Sequence, residues 1–141
     1  MHLQSSTPRV PLGWRIQGRT MVWDGAGITP CYYCGRPATC DEHVVPRVLV
    51  YMLPPGERPD FGVDTVPACK ECNTGLAASV QDSLAARKAA AKQWLCRRYK
   101  KLLDMPAWSE DEIAELDDGW LRDYVCRSVV ARAEVRRMLA W

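Results

Sequence analysis

A small α+β fold, with a metal-stapled finger near the middle and about three helices after it, is predicted by three features of the sequence. Two C-x2-C pairs, Cys31/Cys34 and Cys69/Cys72, enclose a stretch that is short on regular periodicity and rich in turn residues. From Asn73 onward the text changes to alanine-rich runs with apolar residues at helical spacing. The chain has 141 residues, room for one compact domain or for a small stapled unit with a helical extension. The divisions this suggests are an N-terminal loop and short-strand segment over 1–28, a metal-bearing core over 29–80 and a helical extension over 81–141.

Composition bounds the function classes. Apolar residues make up 48% and charged residues 26% of the chain, which is ordinary for a globular protein and too apolar for a disordered one. No stretch approaches the roughly 18 unbroken apolar residues of a spanning helix, and residues 1–10 lack the apolar core of a secretory signal. The expectation is a cytoplasmic protein with no membrane partner. Seven cysteines, an odd number without a signal, then read as metal ligands and spare thiols rather than as disulfides. Net charge is +2 and the isoelectric point is about 8.2, below the value of about 9 that marks strongly basic nucleic-acid binders. Its distribution is more informative. Arg87, Lys88, Lys92, Arg97, Arg98, Lys100 and Lys101 crowd one segment, and Glu110, Asp111, Glu112, Glu115, Asp117 and Asp118 crowd the next.

Element by element, residues 1–30 carry many glycines and prolines among few apolar residues, which predicts loop or short strand, with Trp14, Met21, Val22 and Trp23 available to the core. Thr39 to Val45 is the best strand in the middle, and Pro54-Pro55-Gly56 marks a loop. Leu84, Ala91, Trp94, Leu95 and Leu102 share one helical face, in a helix that ends near Asp104, before Pro106. Ser109 followed by Glu112 has the form of a capping box, and Gly119 is placed to stop that short helix. In a third helix, Leu121, Tyr124, Val125, Ser128, Val129, Val135, Met138 and Leu139 form a stripe that packs back on the first long one. Trp94, Trp108 and Trp120 read as packing residues rather than base-stacking platforms, and Cys96 and Cys126 as small buried groups.

Cys31, Cys34, Cys69 and Cys72 are four soft thiolates, the usual complement of a tetrahedral structural zinc. Each pair sits in a knuckle-like context, and Gly35 relieves the first turn. A redox or disulfide role is the weaker alternative, and Cys40 lies near enough to compete as a ligand. Residues 35–68 separate the pairs by more than the roughly 15 to 20 residues usual in a zinc ribbon. The insertion contains Asp41-Glu42-His43-Val44-Val45-Pro46, and His43 is one of two histidines in the chain. A lone histidine serves structure more often than chemistry, so its neighbours decide the matter.

Cys31-x-x-Cys34, then Glu42-His43-Val44-Val45-Pro46, then Val66-Pro67-Ala68-Cys69-x-x-Cys72-Asn73, resembles the zinc-containing branch of the HNH endonucleases, common in phages and mobile elements. The resemblance covers about residues 29–80. It implies a ββα-metal, treble-clef-like core in which Glu42 and Asn73 hold a divalent ion, magnesium or manganese, while His43 activates water. Such chemistry is sensible in itself: phosphodiester hydrolysis needs a base for the attacking water and a cation to offset phosphate charge, and an imidazole can accept a proton near neutrality. Two metals are therefore expected, zinc for structure and a hard cation, on oxygen donors, for catalysis. Some positions depart from the family pattern. Asp64 stands where members often carry an asparagine that orients the histidine backbone, and its carboxylate accepts hydrogen bonds but cannot donate them. A later histidine or lysine on the metal helix is missing, with Leu76, Gln81 and Asp82 nearby and Gln81 or Asp82 as substitutes. Glu42 replaces the commoner aspartate.

The expected partner is DNA, double-stranded by preference, with RNA as the alternative, in a host cytoplasm if the chain is phage-encoded. Arg87, Lys88, Lys92, Arg97, Arg98 and Lys101 are the expected backbone-contacting surface, with Tyr32, Tyr33, Arg36, Arg47 and Arg58 as further candidates and Tyr51 undecided. The alternative for the basic segment is a solvated helix face paired with the acidic residues that follow. Beside the enzyme stands a non-catalytic zinc module that binds DNA or a protein partner, and the helical tail could also dock onto a larger machine.

Overall fold

The computed structural model describes residues 10–58, 60–77 and 79–141. Two strands, β1 (Trp14–Gln17) and β2 (Thr20–Trp23), form an antiparallel hairpin in the register Trp14↔Trp23 to Gln17↔Thr20. Gly18, at φ 61°, supplies the left-handed backbone that a two-residue hairpin turn needs. Two further strands, β3 (Cys40–His43) and β4 (Thr65–Ala68), pair antiparallel from Cys40↔Ala68 to His43↔Thr65. The four make one sheet in the order β1-β2-β4-β3, joined at its middle by a single parallel pairing, Thr20↔Thr65. Because β2 and β4 part after that pairing, Pro67 sits in a central strand without interrupting a ladder. Its carbonyl accepts instead from the Tyr32 N–H at 2.8 Å.

Helices follow the strands. α1 (Arg47–Met52) and one 3-10 turn (Pro55–Glu57) fill the connection between β3 and β4 and bury none of their residues. α2 (Lys70–Leu76) starts directly after β4 with Cys69 as its cap. α3 (Leu84–Arg98) is capped by Ser83 and buries Leu84, Arg87, Ala91 and Leu95 at steps of three and four residues. It packs on α2, where Gly75 allows the approach: a Cβ there would lie 2.4 Å from the Trp94 ring. The single helix expected as far as Asp104 is broken at Tyr99, beyond which α4 (Lys100–Leu103) makes one more turn. α5 (Glu110–Ala114) carries the complete Ser109/Glu112 capping box, and α6 (Trp120–Ala140) runs back across α3 and α4. Gly119 is the N-cap of α6 rather than the stop of α5, which ends several residues earlier.

The chain is thus α+β, with a small sheet beside a helical layer. One hydrophobic cluster runs from Trp14 through Tyr33, Val66 and Leu76 to Leu95, Val135 and Met138, so all three expected segments contribute to a single core. The expected α6 stripe holds only in part. Val125, Val135 and Met138 are buried, of which Val135 and Met138 belong to the main cluster, but Leu121, Tyr124 and Val129 are exposed. Cys96 and Cys126 also depart from expectation: both lie on outward faces, off the stripes that pack. Trp94 is half-buried as expected, whereas Trp120 is exposed.

Candidate functional site

The four cysteines of the two pairs meet. All their sulfurs lie within 4.8 Å of one another, and all four residues are buried. The 3.7 Å between the Cys34 and Cys69 sulfurs is far longer than a disulfide bond and close to the roughly 3.8 Å that tetrahedral zinc with Zn–S near 2.3 Å imposes. The first knuckle closes through Gly35 N–H to the Cys31 carbonyl at 2.9 Å, and the second through Cys72 N–H to the Cys69 sulfur at 3.4 Å. Gly35 is held at φ 77°, and a Cβ there would meet the Trp141 ring at 2.6 Å, so neither its backbone nor its space admits a side chain. Hydrogen bonding from Cys31 pulls the Cys34 thiol down to about 6, and pulls Cys69 down as well. Arg36 adds a cation 3.7 Å from the Cys69 sulfur. This donor set suits zinc in chemistry, number and spacing. Cys40 is outside it, its thiol donating to the Ala68 carbonyl at 3.3 Å.

Around the finger the basic segment is put to internal use. Arg36 and Arg98 both grip Glu71, each at 2.5 Å, and Tyr99 donates to the same carboxylate. Burial alone would raise the Glu71 pKa, but hydrogen bonds from Tyr99 and Arg36 outweigh it and hold that carboxyl below its ordinary value. The Lys88 ammonium lies over the Tyr32 ring, 5.4 Å from its centre. Tyr32 and Tyr33 are core residues and do not face a groove. Lys92 is half-buried, and Arg97 and Lys101 are exposed.

Arg87 corrects the expectation most sharply. It is 1% exposed and points inward, with its guanidinium on Glu42, itself 2% exposed. Its Nη1 donates to the Ser79 carbonyl at 2.9 Å, and its Nε donates to the Tyr33 hydroxyl at 3.2 Å. Tyr33 in turn donates to Glu42 Oε2 at 2.5 Å, and burial, with the neighbouring carboxylate, pushes its phenol up so that it keeps that proton. Burial opposes the Arg87 charge, but hydrogen bonds to Glu42 more than restore it. A carboxylate offers about four lone-pair positions, and Tyr33 Oη, Arg87 Nε and Arg87 Nη2 use three of those on Glu42.

A cavity of about 380 Å³ brings the remaining expected residues together: Glu42, His43 and Asn73 line it with Asp41, Arg47 and Arg87. Strand alternation turns Glu42 inward and His43 outward at the end of β3, while β4 leads straight into α2 and so sets Asn73 opposite. Gln81 and Asp82 do not line this cavity; the Gln81 amide donates to the Ser79 hydroxyl, and Leu76 is buried in the core. The Asp64 carboxylate is held by Arg19 at 2.9 Å, and it is the Asp64 main-chain carbonyl that accepts from Val44 N–H, next to His43. Arg47 Nη2 lies 3.4 Å from His43 Nε2. A guanidinium can only donate, so this contact requires the lone pair on Nε2. Among the described residues no helix is long and apolar enough to cross a membrane. Compared with protein-family models, curated proteins and solved structures, the chain matches none.

Proposed function

We propose that the chain is a metal-dependent nuclease of the HNH type, built on a ββα-metal core with a structural zinc, that hydrolyses phosphodiester bonds in DNA. The observation that carries the reading is the shared cavity: Glu42 and His43 from one motif and Asn73 from another, some thirty residues on, line one space beside the four-cysteine cluster. The order of β3, β4 and α2 is the strand, strand, helix order that such a core needs. In this reading the His43 Nε2 lone pair, on which Arg47 rests, is released when that guanidinium turns to the phosphate, and it then accepts the proton of the attacking water. Arg47, so turned, offers a positive charge to the phosphate. Glu42 has one lone-pair position left for an ion, and Asn73 contributes an amide oxygen. Magnesium or manganese held there would offset the charge on the phosphate.

A second reading is favoured by the engagement of Glu42 with Arg87 and Tyr33. If that carboxylate is wholly structural, the chain is a non-catalytic zinc module that binds DNA or a protein partner. Relaxation of supercoiled plasmid separates the two. The nuclease reading expects cutting by zinc-loaded wild type only when magnesium or manganese is added, and none by His43→Ala at equal zinc content. Wild type that is inert with every divalent ion, yet binds DNA, leaves the second reading.

A further inference from the structure

His43 faces a second, larger cavity. This cleft of about 550 Å³ is within the size range of small-ligand sites, and Arg47 is common to both cavities. Its walls carry Arg19, Arg47, Tyr51, Arg58 and Asp64. Arg19 lies between Asp60 at 2.8 Å and Asp64 at 2.9 Å and offsets one of their two charges, and Arg47 and Arg58 bring the arginines of the cleft to three against two carboxylates. Arg47 and Arg58 have no carboxylate within salt-bridge distance among the described residues, and Arg58 is braced through Nε on the Leu53 carbonyl at 3.0 Å. Between them α1 leaves Val48, Tyr51 and Met52 uncovered, with Tyr51 85% exposed. Two unpaired guanidiniums flanking an exposed aromatic ring are the elements of a single-strand site: backbone charge is met by arginine, and a base stacks on the ring whatever its sequence.

We propose that this cleft grips one unpaired nucleic-acid strand, with phosphates on Arg47 and Arg58 and a base on Tyr51, and leads it to His43. The proposal deepens the nuclease reading and rests on it for the direction in which the strand runs. It moves the binding surface from the basic run of α3, where Arg87 and Arg98 are spent on internal contacts, to the connection between β3 and β4.

The test is fluorescence anisotropy of zinc-loaded full-length protein on a labelled 20-nucleotide DNA, single-stranded or duplex, across a salt series without magnesium or manganese. Arg47→Gln/Arg58→Gln should weaken single-strand binding tenfold or more at 0.1 M salt. It should also lower the salt slope by about 1.4, two phosphates at roughly 0.7 each. Arg58→Gln alone, which does not touch His43, should give about half that change in slope. Tyr51→Ala should weaken single-strand binding at least fivefold and leave duplex binding within twofold. Arg127→Gln/Arg137→Gln, an equal change of charge on α6, should stay within twofold of wild type. Wild-type affinity in the Arg47/Arg58 variant, duplex preferred over single strand, or no binding at all overturns the proposal. Cleavage assays keep the two readings apart. Binding as expected without cleavage in magnesium or manganese removes the nuclease and leaves the cleft, whereas cleavage with unchanged KM in Arg47→Gln/Arg58→Gln removes the cleft and leaves the nuclease.

Discussion

Glu42 and Arg87 meet across the interior from β3 and α3, and each is buried too deeply to be left alone. Breaking such a pair strands a charge in the core at a cost of about 3–5 kcal/mol, whereas replacing both partners removes the charge together with its partner. Arg87→Met should therefore lower the unfolding free energy of the zinc-loaded protein by about that amount in urea. Glu42→Gln/Arg87→Met should recover most of the loss; a single variant within about 1 kcal/mol of wild type would contradict the pairing. This interaction was hidden in the sequence because a run of arginines and lysines on a helix reads as a solvated face. The signal lay in its position: Arg87 falls on the stripe of Leu84, Ala91 and Leu95, and a charge on a buried stripe calls for a partner. The four paired cysteines were legible because their chemistry is tied to fixed local spacing.

At the scale of elements, each pair of cysteines is fixed by its own turn, and β4 carries the second pair against the first. One zinc per chain is expected. Cys72→Ser should lose it, while Cys40→Ser, whose thiol is occupied on a backbone carbonyl outside the cluster, should retain it. Elemental analysis of the purified variants decides this, and loss of zinc from Cys40→Ser would show that the ligand set is different. The helices were largely readable in advance from apolar stripes and caps, down to the Ser109/Glu112 box. The break at Tyr99 was not, since no glycine or proline marks it and the phenol there is engaged at long range, on Glu71. Nor was the sheet order. The β2 to β4 junction is one residue pair between distant segments, and nothing local encodes it.

For the whole molecule, the helical layer acts as a clamp on the finger as well as an extension of it. Trp141 donates from Nε1 to the Tyr32 carbonyl at 3.2 Å, covers Gly35 and packs near Trp23, joining the end of α6 to the first knuckle and the hairpin. Trp141→Ala should lower the melting temperature of the zinc-loaded protein, by the equivalent of about 1–3 kcal/mol, and speed zinc loss to a competing chelator. Unchanged zinc release would mean that the finger stands independently of the helices. Glu42, His43 and Asn73 share one cavity wall between β3 and α2, and the proposal that this wall is catalytic is the one most worth testing. The direct measurement is single-turnover cleavage of an end-labelled DNA strand in magnesium or manganese by wild type and His43→Ala, each shown to carry its zinc. Loss of the general base should slow cleavage by about 10²–10⁴-fold with zinc content unchanged. Equal rates in the two proteins, or no cleavage by wild type with either ion, would contradict it.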